Sequence, residues 1–130
     1  MTTAFLLLSL MLGAPAESAS PFWIWSHADR EAHPTAALRG EVEIHNGLRR
    51  AQLTAVADYC RAAFFLNGVE VARREPYEAA FRLDVTEHLQ RGGNALVVTA
   101  RRVEGPAAVM LRLELEYEDG RRTTFVSNES

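Results

Sequence analysis

Residues 57–73 read ADYCRAAFFLNGVEVAR, and two apolar runs of this segment meet at Asn67 and Gly68. The Asn-Gly pair tolerates the positive φ angles of a tight two-residue turn, so apolar runs on either side of it are the strongest short-range signal for a β-hairpin. The segment therefore predicts two antiparallel strands joined at Asn67-Gly68, and we expect the rest of the fold to be built around them.

The remainder of the chain alternates short apolar segments with turn residues, at the spacing typical of an antiparallel sandwich. The predicted strands span residues 38–44, 52–57, 62–66, 69–73, 77–83, 95–102, 109–117 and 123–126. Residues 84–89 predict one helical turn, capped by Asp84 or Thr86. We expect an all-β protein: an antiparallel β-sandwich of about eight strands with at most one short helical turn.

Two predicted strands differ in how their faces are covered. Residues 111–117 alternate apolar and charged side chains, which indicates one wet face. Residues 96–100 are apolar on both sides, which predicts a central strand covered on both faces.

Composition bounds the function. The 130 residues, 48% hydrophobic and 24% charged, are typical of one globular domain and exclude a disordered or fibrous chain. A net charge of −3 gives no reason to expect a nucleic-acid partner, although every basic side chain is an arginine. Two arginine pairs flank predicted turns, Arg49-Arg50 and Arg121-Arg122. They are interpreted either as solvated turn charges or as a phosphate or anion site.

The first twenty residues differ from the rest. An apolar core at residues 5–12, too short to span a bilayer, precedes the small-residue run 13–20, which predicts a secretory signal peptide. The segment before it has no Lys or Arg, so a mis-assigned start or a buried N-terminal helix is the alternative. We expect a signal at residues 1–20, a β-sandwich module at residues 21–130, a secreted or periplasmic location and no membrane span after cleavage.

No catalytic or metal motif is present in the sequence. Cys60 is the single cysteine and is interpreted as a half-buried structural thiol rather than a nucleophile. His27, Asp29 and His33 lie in a predicted exposed loop, and nothing completes a metal shell around them. The sequence has no nucleophile elbow and no phosphate loop, so we expect neither an enzyme nor a cofactor or metal site.

The tryptophans leave two interpretations open. Trp23 and Trp25 point to one face of a predicted strand at residues 22–25. They either cap an open end of the core or form a stacking platform for a flat ligand such as a sugar ring.

Several segments occur in an order that resembles a known family: WIW at 23–25, LNG at 66–68, DVTEHL at 84–89, GGNALVV at 92–98 and GPAAV at 105–109. Together they resemble the galactose-binding-like jelly-roll modules at the N-termini of bacterial α-L-rhamnosidases, of family 2 glycoside hydrolases and of planctomycete-type secreted multidomain proteins. Residues 58–63 depart from the pattern of these modules, which leaves the hairpin register open.

The resemblance implies a secreted, non-catalytic accessory module that associates with carbohydrate. Its implied partners are a carbohydrate and a downstream domain or partner protein. The candidate sugar-binding residues are an aromatic set and two arginines: Trp25, Tyr59, Tyr77, Arg61 and Arg73. A second set has structural turn roles: Asn67, Gly68, Asp84, Gly92, Gly93 and Asn94.

Two alternatives remain: a structural or protein-interaction module without a sugar ligand, and the truncated N-terminal part of a glycoside hydrolase. Sugar binding predicts an exposed aromatic ring beside a polar-lined concavity. An interaction module predicts buried tryptophans and a convex apolar patch.

Overall fold

The computed structural model describes residues 7–9, 11–12, 24–25 and 32–128. In this part of the chain, ten strands and one 3₁₀ turn follow one another: β1 Leu7–Ser9, β2 Met11–Leu12, β3 Thr35–Ile44, β4 Leu48–Asp58, β5 Cys60–Leu66, β6 Val69–Arg74, β7 Phe81–Asp84, the turn Thr86–His88, β8 Gly92–Arg102, β9 Ala108–Tyr117 and β10 Arg122–Asn128.

The strands form two packed sheets. The first has the order β1-β3-β8-β5-β6 and the second the order β2-β10-β9-β4-β7. The eight long strands pair antiparallel, while the short β1 runs parallel to β3 at a sheet edge. The predicted antiparallel β-sandwich is confirmed, including its single helical turn.

The hairpin turn lies at the predicted position. Asn67 and Gly68 have φ angles of 50° and 83°, and Leu66 pairs with Val69 across the turn. The Asn67 side chain also fastens the hairpin to the neighbouring strand, because its Oδ1 accepts a hydrogen bond from the Ala95 amide at 2.9 Å and its Nδ2 donates to Asn94 Oδ1 at 2.8 Å.

The second predicted turn is corrected. Gly92 does adopt a positive φ of 96°, but Gly93 and Asn94 lie inside β8, paired with Glu43 and Val42. Asn94 has a structural role of another kind. Its buried side chain donates to the carbonyl oxygens of Gln90 and Gly92 and thereby closes the loop that leads into β8.

Asp84 has its predicted role at the helical turn. Its Oδ1 accepts hydrogen bonds from the Thr86 hydroxyl at 2.7 Å and the Thr86 amide at 2.9 Å, and these bonds lower the pKa of Asp84. The Thr86 hydroxyl accepts in turn from the Ala51 amide, which ties the turn to β4. Val85 is fully buried beneath it.

The chain passes from one sheet to the other at Tyr59. This residue, with a left-handed φ of 57°, separates β4 of the second sheet from β5 of the first. The chain thus changes sheets within residues 58–63, the segment that departs from the pattern of the related modules.

The predicted strand at residues 77–83 begins later than expected, at Phe81. Tyr77 has a φ of 67°, which is incompatible with a strand, and the Glu75 amide donates to the Glu78 carboxylate across a turn. Residues 77–80 therefore form a turn and a loop.

The core lies between the sheets and follows strand alternation. Leu111, Leu113 and Leu115 of β9 point inward and are buried, which confirms the wet outer face of that strand. β8 lies in the middle of its sheet as predicted, but its outer side chains Val97 and Thr99 are only half-buried. The expectation that both faces of this strand are covered is therefore wrong.

Cys60 is completely buried at the start of β5, where its thiol donates to the Ala108 carbonyl at 3.7 Å. Burial raises the pKa of this thiol to about 11, as suits the predicted structural role, but Cys60 is completely buried and not half-buried as expected.

Part of the predicted N-terminal organisation lies outside the described residues. This includes Trp23, His27, Asp29 and most of the segment 1–20; of that segment, the backbone of β1 pairs with β3 and that of β2 with β10. His33 is exposed, as expected. Among the described residues, no helix has the length and apolarity that a membrane crossing requires.

Candidate functional site

The outer face of the first sheet has a concavity that the strand register explains. Cross-strand pairing aligns a row of small side chains, Ala37, Thr99 and Ala63, which ends at Arg73. Larger side chains stand on both sides of this row. Because a row of small residues between rows of large ones leaves a groove, the sheet has a depression of about 280 Å³.

We call this depression the cradle. Its lining comprises an apolar floor and a charged rim: Thr35, Arg61, Ala62, Ala63, Phe65, Arg73, Glu75, Thr99, Ala100 and Arg101. The floor is formed by the half-buried Phe65 ring and by Ala63, which is 7% exposed. The volume lies just below the range of small-molecule pockets, about 300–1,000 Å³.

The rim places like charges side by side. Arg61 and Arg101 are directly opposite each other on β5 and β8, an arrangement that destabilises a sheet unless other groups offset it. Glu75 pairs with Arg61 at 2.7 Å and so compensates one of the two cations. Arg101 forms no ion pair with any described residue, so its guanidinium donors remain available at the rim.

Arg73 completes the rim on β6. Its guanidinium pairs with Glu70 at 2.7 Å, and its side chain is 70% exposed. Exposed ion pairs of this kind contribute little to stability, so both Arg61 and Arg73 can exchange their carboxylate partners for a ligand at small cost.

Two tyrosines lie together at the end of the sandwich where β5 begins. The Tyr59 and Tyr77 rings meet edge to face, with centroids 5.7 Å apart. Both have left-handed backbones, which bulky residues rarely adopt and which cluster at functional sites. Tyr77 is 60% exposed and follows Glu75 of the cradle rim by two residues.

The Tyr77 hydroxyl donates a hydrogen bond to the Glu104 carboxylate. This bond raises the pKa of Tyr77 to about 12, so the phenol stays protonated at neutral pH. The hydroxyl is thereby fixed in the donor role toward Glu104, and the ring is held in one orientation.

Trp25 lies in the core. It is 6% exposed, and its indole Nε1 donates to the His33 carbonyl at 3.0 Å. In this structure Trp25 is therefore a residue that closes one end of the core and offers no open ring face for stacking.

The structure thus divides the five candidate residues into three groups. Arg61 and Arg73 line the cradle, Tyr59 and Tyr77 form the ring pair at the sandwich end, and Trp25 is separate from both.

Sequence reasoning missed Phe65, Glu75 and Arg101. The signal for Phe65 was present, because alternation within β5 sends adjacent Phe64 and Phe65 to opposite faces, and Phe64 is the one that is fully buried. The position of Arg101 depends on pairing between β5 and β8, which no local pattern reveals.

Glycoside hydrolysis uses two carboxyl groups about 5–10 Å apart. Glu75 is the one carboxylate among the residues that line the cradle. In the described part of the chain, no group of three or more His, Cys, Asp or Glu side chains is arranged to hold a metal ion. The cradle is therefore equipped for hydrogen bonding and stacking.

No protein-family model and no curated protein matches the chain. Several solved structures do match it. An α-L-rhamnosidase from Streptomyces avermitilis, complexed with L-rhamnose, aligns with a TM-score of 0.72 and 24% identity over 92% of this chain and 12% of that one. A lectin from Pleurotus ostreatus, also solved in complex with GalNAc, aligns with a TM-score of 0.67 and 24% identity over 83% of this chain and 33% of the lectin. A family 78 rhamnosidase from Bacillus sp. GL1 aligns with a TM-score of 0.66 and 21% identity, over 87% of this chain and 13% of that one.

The chain spans only a small part of each of these proteins, and at such identities the likeness concerns the fold. The chain is therefore similar in fold to β-sandwich regions of α-L-rhamnosidases and to a lectin, consistent with a galactose-binding-like module.

Proposed function

We propose that the chain is a non-catalytic carbohydrate-binding module and that the cradle is its sugar site. The observation that carries this proposal is the pair of facing arginines, Arg61 and Arg101, beside an apolar floor of Phe65 and Ala63. Such an arrangement offers both kinds of contact that a sugar ring needs.

The two faces of a sugar ring differ from its edge. The C–H groups of one face pack on aromatic and apolar side chains, here Phe65 and Ala63. The hydroxyl groups at the edge accept hydrogen bonds from arginine donors, here Arg101 and Arg73, and donate to the Glu75 carboxylate. Tyr77 extends the aromatic surface at the sandwich end, two residues beyond Glu75.

The fold neighbours support the choice of ligand class. One is a rhamnosidase solved with L-rhamnose and another a lectin solved with GalNAc. L-Rhamnose and GalNAc are accordingly the first monosaccharide probes, followed by a panel of insoluble neutral polysaccharides.

The test is a binding measurement by titration calorimetry and polysaccharide retention. Arg101→Gln removes a guanidinium without breaking an ion pair, and we expect it to weaken binding about tenfold or more, the usual effect of losing a charge-assisted hydrogen bond. Arg91→Gln is the matched control, because Arg91 is exposed and lies in the loop before β8, outside the cradle.

If Arg101→Gln and the wild type bind sugar with equal affinity, the cradle is not the sugar site. Failure of the wild type to bind any probe would favour a structural or protein-interaction module. An observation that favours this second candidate is the position of the exposed Tyr77 and Val103 near Tyr59, at the end of the sandwich where Trp25 is buried.

We further propose that the module is secreted or periplasmic and serves as the N-terminal accessory module of a larger protein such as a glycoside hydrolase. The support is the apolar segment at residues 5–12 and the fold neighbours, in which the matched region is about an eighth of a rhamnosidase. Mass spectrometry of the exported protein tests the first part. We expect an N-terminus near Pro21, in which case cleavage removes the short edge strands β1 and β2. An intact Met1 would contradict secretion by this signal.

A further inference from the structure

The outer face of the second sheet has a larger concavity than the cradle. We call it the polar cleft. Its volume is about 430 Å³, and charged and polar side chains dominate its lining: Arg50, Gln52, Arg82, Glu114, Leu115, Glu116, Arg122, Thr123 and Thr124. It lies on the opposite side of the sandwich from the cradle, because the two sheets pack face to face.

The register of β4, β9 and β10 arranges the cleft in rows. One row reads Arg50, Glu116 and Arg122, so that a carboxylate stands between two guanidinium groups on neighbouring strands. The next row consists of shorter polar side chains, Gln52, Glu114 and Thr124. The second row forms the floor of the cleft, beside the raised arginines of the first.

The cationic row is incompletely neutralised. Glu116 forms an ion pair with Arg49 at a long 4.0 Å, and with no other residue in the described part of the chain. Neither Arg50 nor Arg122 forms an ion pair with a described residue, although Arg50 contributes to lowering the pKa of Asp84. A smaller concavity at this end, of about 370 Å³, is lined by three arginines and one glutamate: Arg49, Arg50, Glu116 and Arg122.

The other end of the cleft holds a partly exposed carboxylate, that of Glu114. Glu114 is 37% exposed, and its contact with Arg82 measures 3.6 Å, longer than a hydrogen bond. Its Oε1 is the atom that faces Arg82 and is itself buried, without a hydrogen-bond partner within the described residues, so the exposure of Glu114 lies on the rest of its side chain. The accessible part of this carboxylate can accept a hydrogen bond from a ligand hydroxyl.

We propose that the polar cleft binds a uronate, a sugar unit that carries both a carboxylate and hydroxyl groups. The carboxylate binds Arg50 and Arg122 through charge-assisted hydrogen bonds. The hydroxyl groups donate to Glu114 and exchange hydrogen bonds with Gln52 and Thr124. This site is distinct in place and ligand chemistry from the neutral-sugar site of the cradle.

The polarity of the cleft distinguishes a uronate from other anions. An acidic polypeptide supplies carboxylates for the arginines, but it has few hydroxyl donors for Glu114. A neutral sugar supplies hydroxyl groups but leaves Arg50 and Arg122 with only the Glu116 carboxylate between them as counter-charge. A uronate satisfies both ends of the cleft at once.

The experiment measures binding of the full chain to immobilised polygalacturonate, with its methyl ester, a neutral polysaccharide and polyglutamate as comparisons. We expect the wild type to bind polygalacturonate, with affinity that falls as salt concentration rises. The methyl ester and polyglutamate should bind at least about tenfold more weakly, since each lacks one of the two contacts.

Three variants locate the site. Arg122→Gln should weaken binding about 10- to 100-fold, as expected for a lost charge-assisted hydrogen bond. Glu116→Gln should strengthen it, because it removes the carboxylate that competes for Arg50 and Arg122; a folding defect cannot produce this gain. Arg91→Gln, exposed and outside the cleft, is the charge-matched control and should bind as the wild type does.

Any of the following results would overturn the proposal: no binding of polygalacturonate by the wild type, equal binding of its methyl ester, equal binding of polyglutamate, or equal losses in Arg122→Gln and Arg91→Gln. A Glu116→Gln variant that binds more weakly would do the same. Binding of neutral sugars is measured in parallel on the wild type. Because that measurement tests the cradle, failure of the uronate proposal can be distinguished from failure of the proposed function.

Discussion

Replacing Gly68 by valine isolates the contribution of the hairpin turn to stability. Gly68 has a φ of +83°, and a Cβ atom placed on it would meet no other heavy atom within 4 Å. The added Cβ therefore meets nothing beyond the residues adjacent to it in sequence, and we expect the cost to come from the backbone. Forcing a β-branched residue into the left-handed region costs about 1–3 kcal/mol.

For a chain of this length, each kcal/mol lowers the melting temperature by roughly 3–5 °C. Urea unfolding followed by circular dichroism gives the free energy directly, provided that the slope of the transition is unchanged. Gly93→Val is the matched control. A Cβ on Gly93 also meets nothing within 4 Å, but its φ is not positive, so we expect a change within about 0.5 kcal/mol.

Gly68→Asn is the rescue variant, since asparagine tolerates the left-handed region better than valine does. We expect its stability to lie between those of the wild type and Gly68→Val. If Gly68→Val unfolds at the same urea concentration as the wild type, or if Gly93→Val loses as much stability, the reasoning about backbone strain at this turn is refuted.

Three further predictions concern buried and titratable side chains. Trp25→Ala should destabilise the fold by about 3–5 kcal/mol in urea unfolding because it empties a core position, and a loss below about 1 kcal/mol would contradict its burial. Cys60 should resist maleimide labelling in the native protein and react in urea. Because folding raises its pKa from 9.0 to about 11, Cys60 should also make stability fall between these pH values, where the unfolded state ionises first, and this fall should be absent in Cys60→Ala. Absorbance titration should find one tyrosine, Tyr77, with a pKa near 12. In Glu104→Gln this pKa should move toward the ordinary value of 10.0. An unchanged pKa in the variant would contradict the Tyr77–Glu104 hydrogen bond.

The sequence predicts this fold well because its strongest signals are local. Asn67-Gly68 prefers a hairpin turn in almost any surroundings, and strict alternation along β9 determines which side of that strand faces the core. The failures are also physical. Tyr77 belongs to an apolar run that fits a strand, but its left-handed backbone breaks the strand pattern, and Gly93 fits a turn but lies within β8.

The candidate site was less predictable because it is a property of register. Ala63 and Arg73 face each other across the predicted hairpin, but Thr99 comes from β8, far along the chain, and its alignment with Ala63 is needed to form the cradle. Trp25 illustrates a different limit. Strand alternation predicts that Trp25 and Ile24 point to opposite faces, so that one of them is exposed. In the structure both side chains are buried at the end of the sandwich. A segment at the end of a sandwich can be covered on both faces, and the alternation of apolar and polar residues does not predict this.

The most direct test of the central claim is an amide nitrogen–proton spectrum of the full chain, recorded during titration with L-rhamnose and then with GalNAc. If the cradle is the sugar site, the largest shifts should occur at the amides of Ala63, Thr99 and Arg101 and approach saturation together. Shifts concentrated on the second sheet, or no shift at saturating sugar, would contradict the claim.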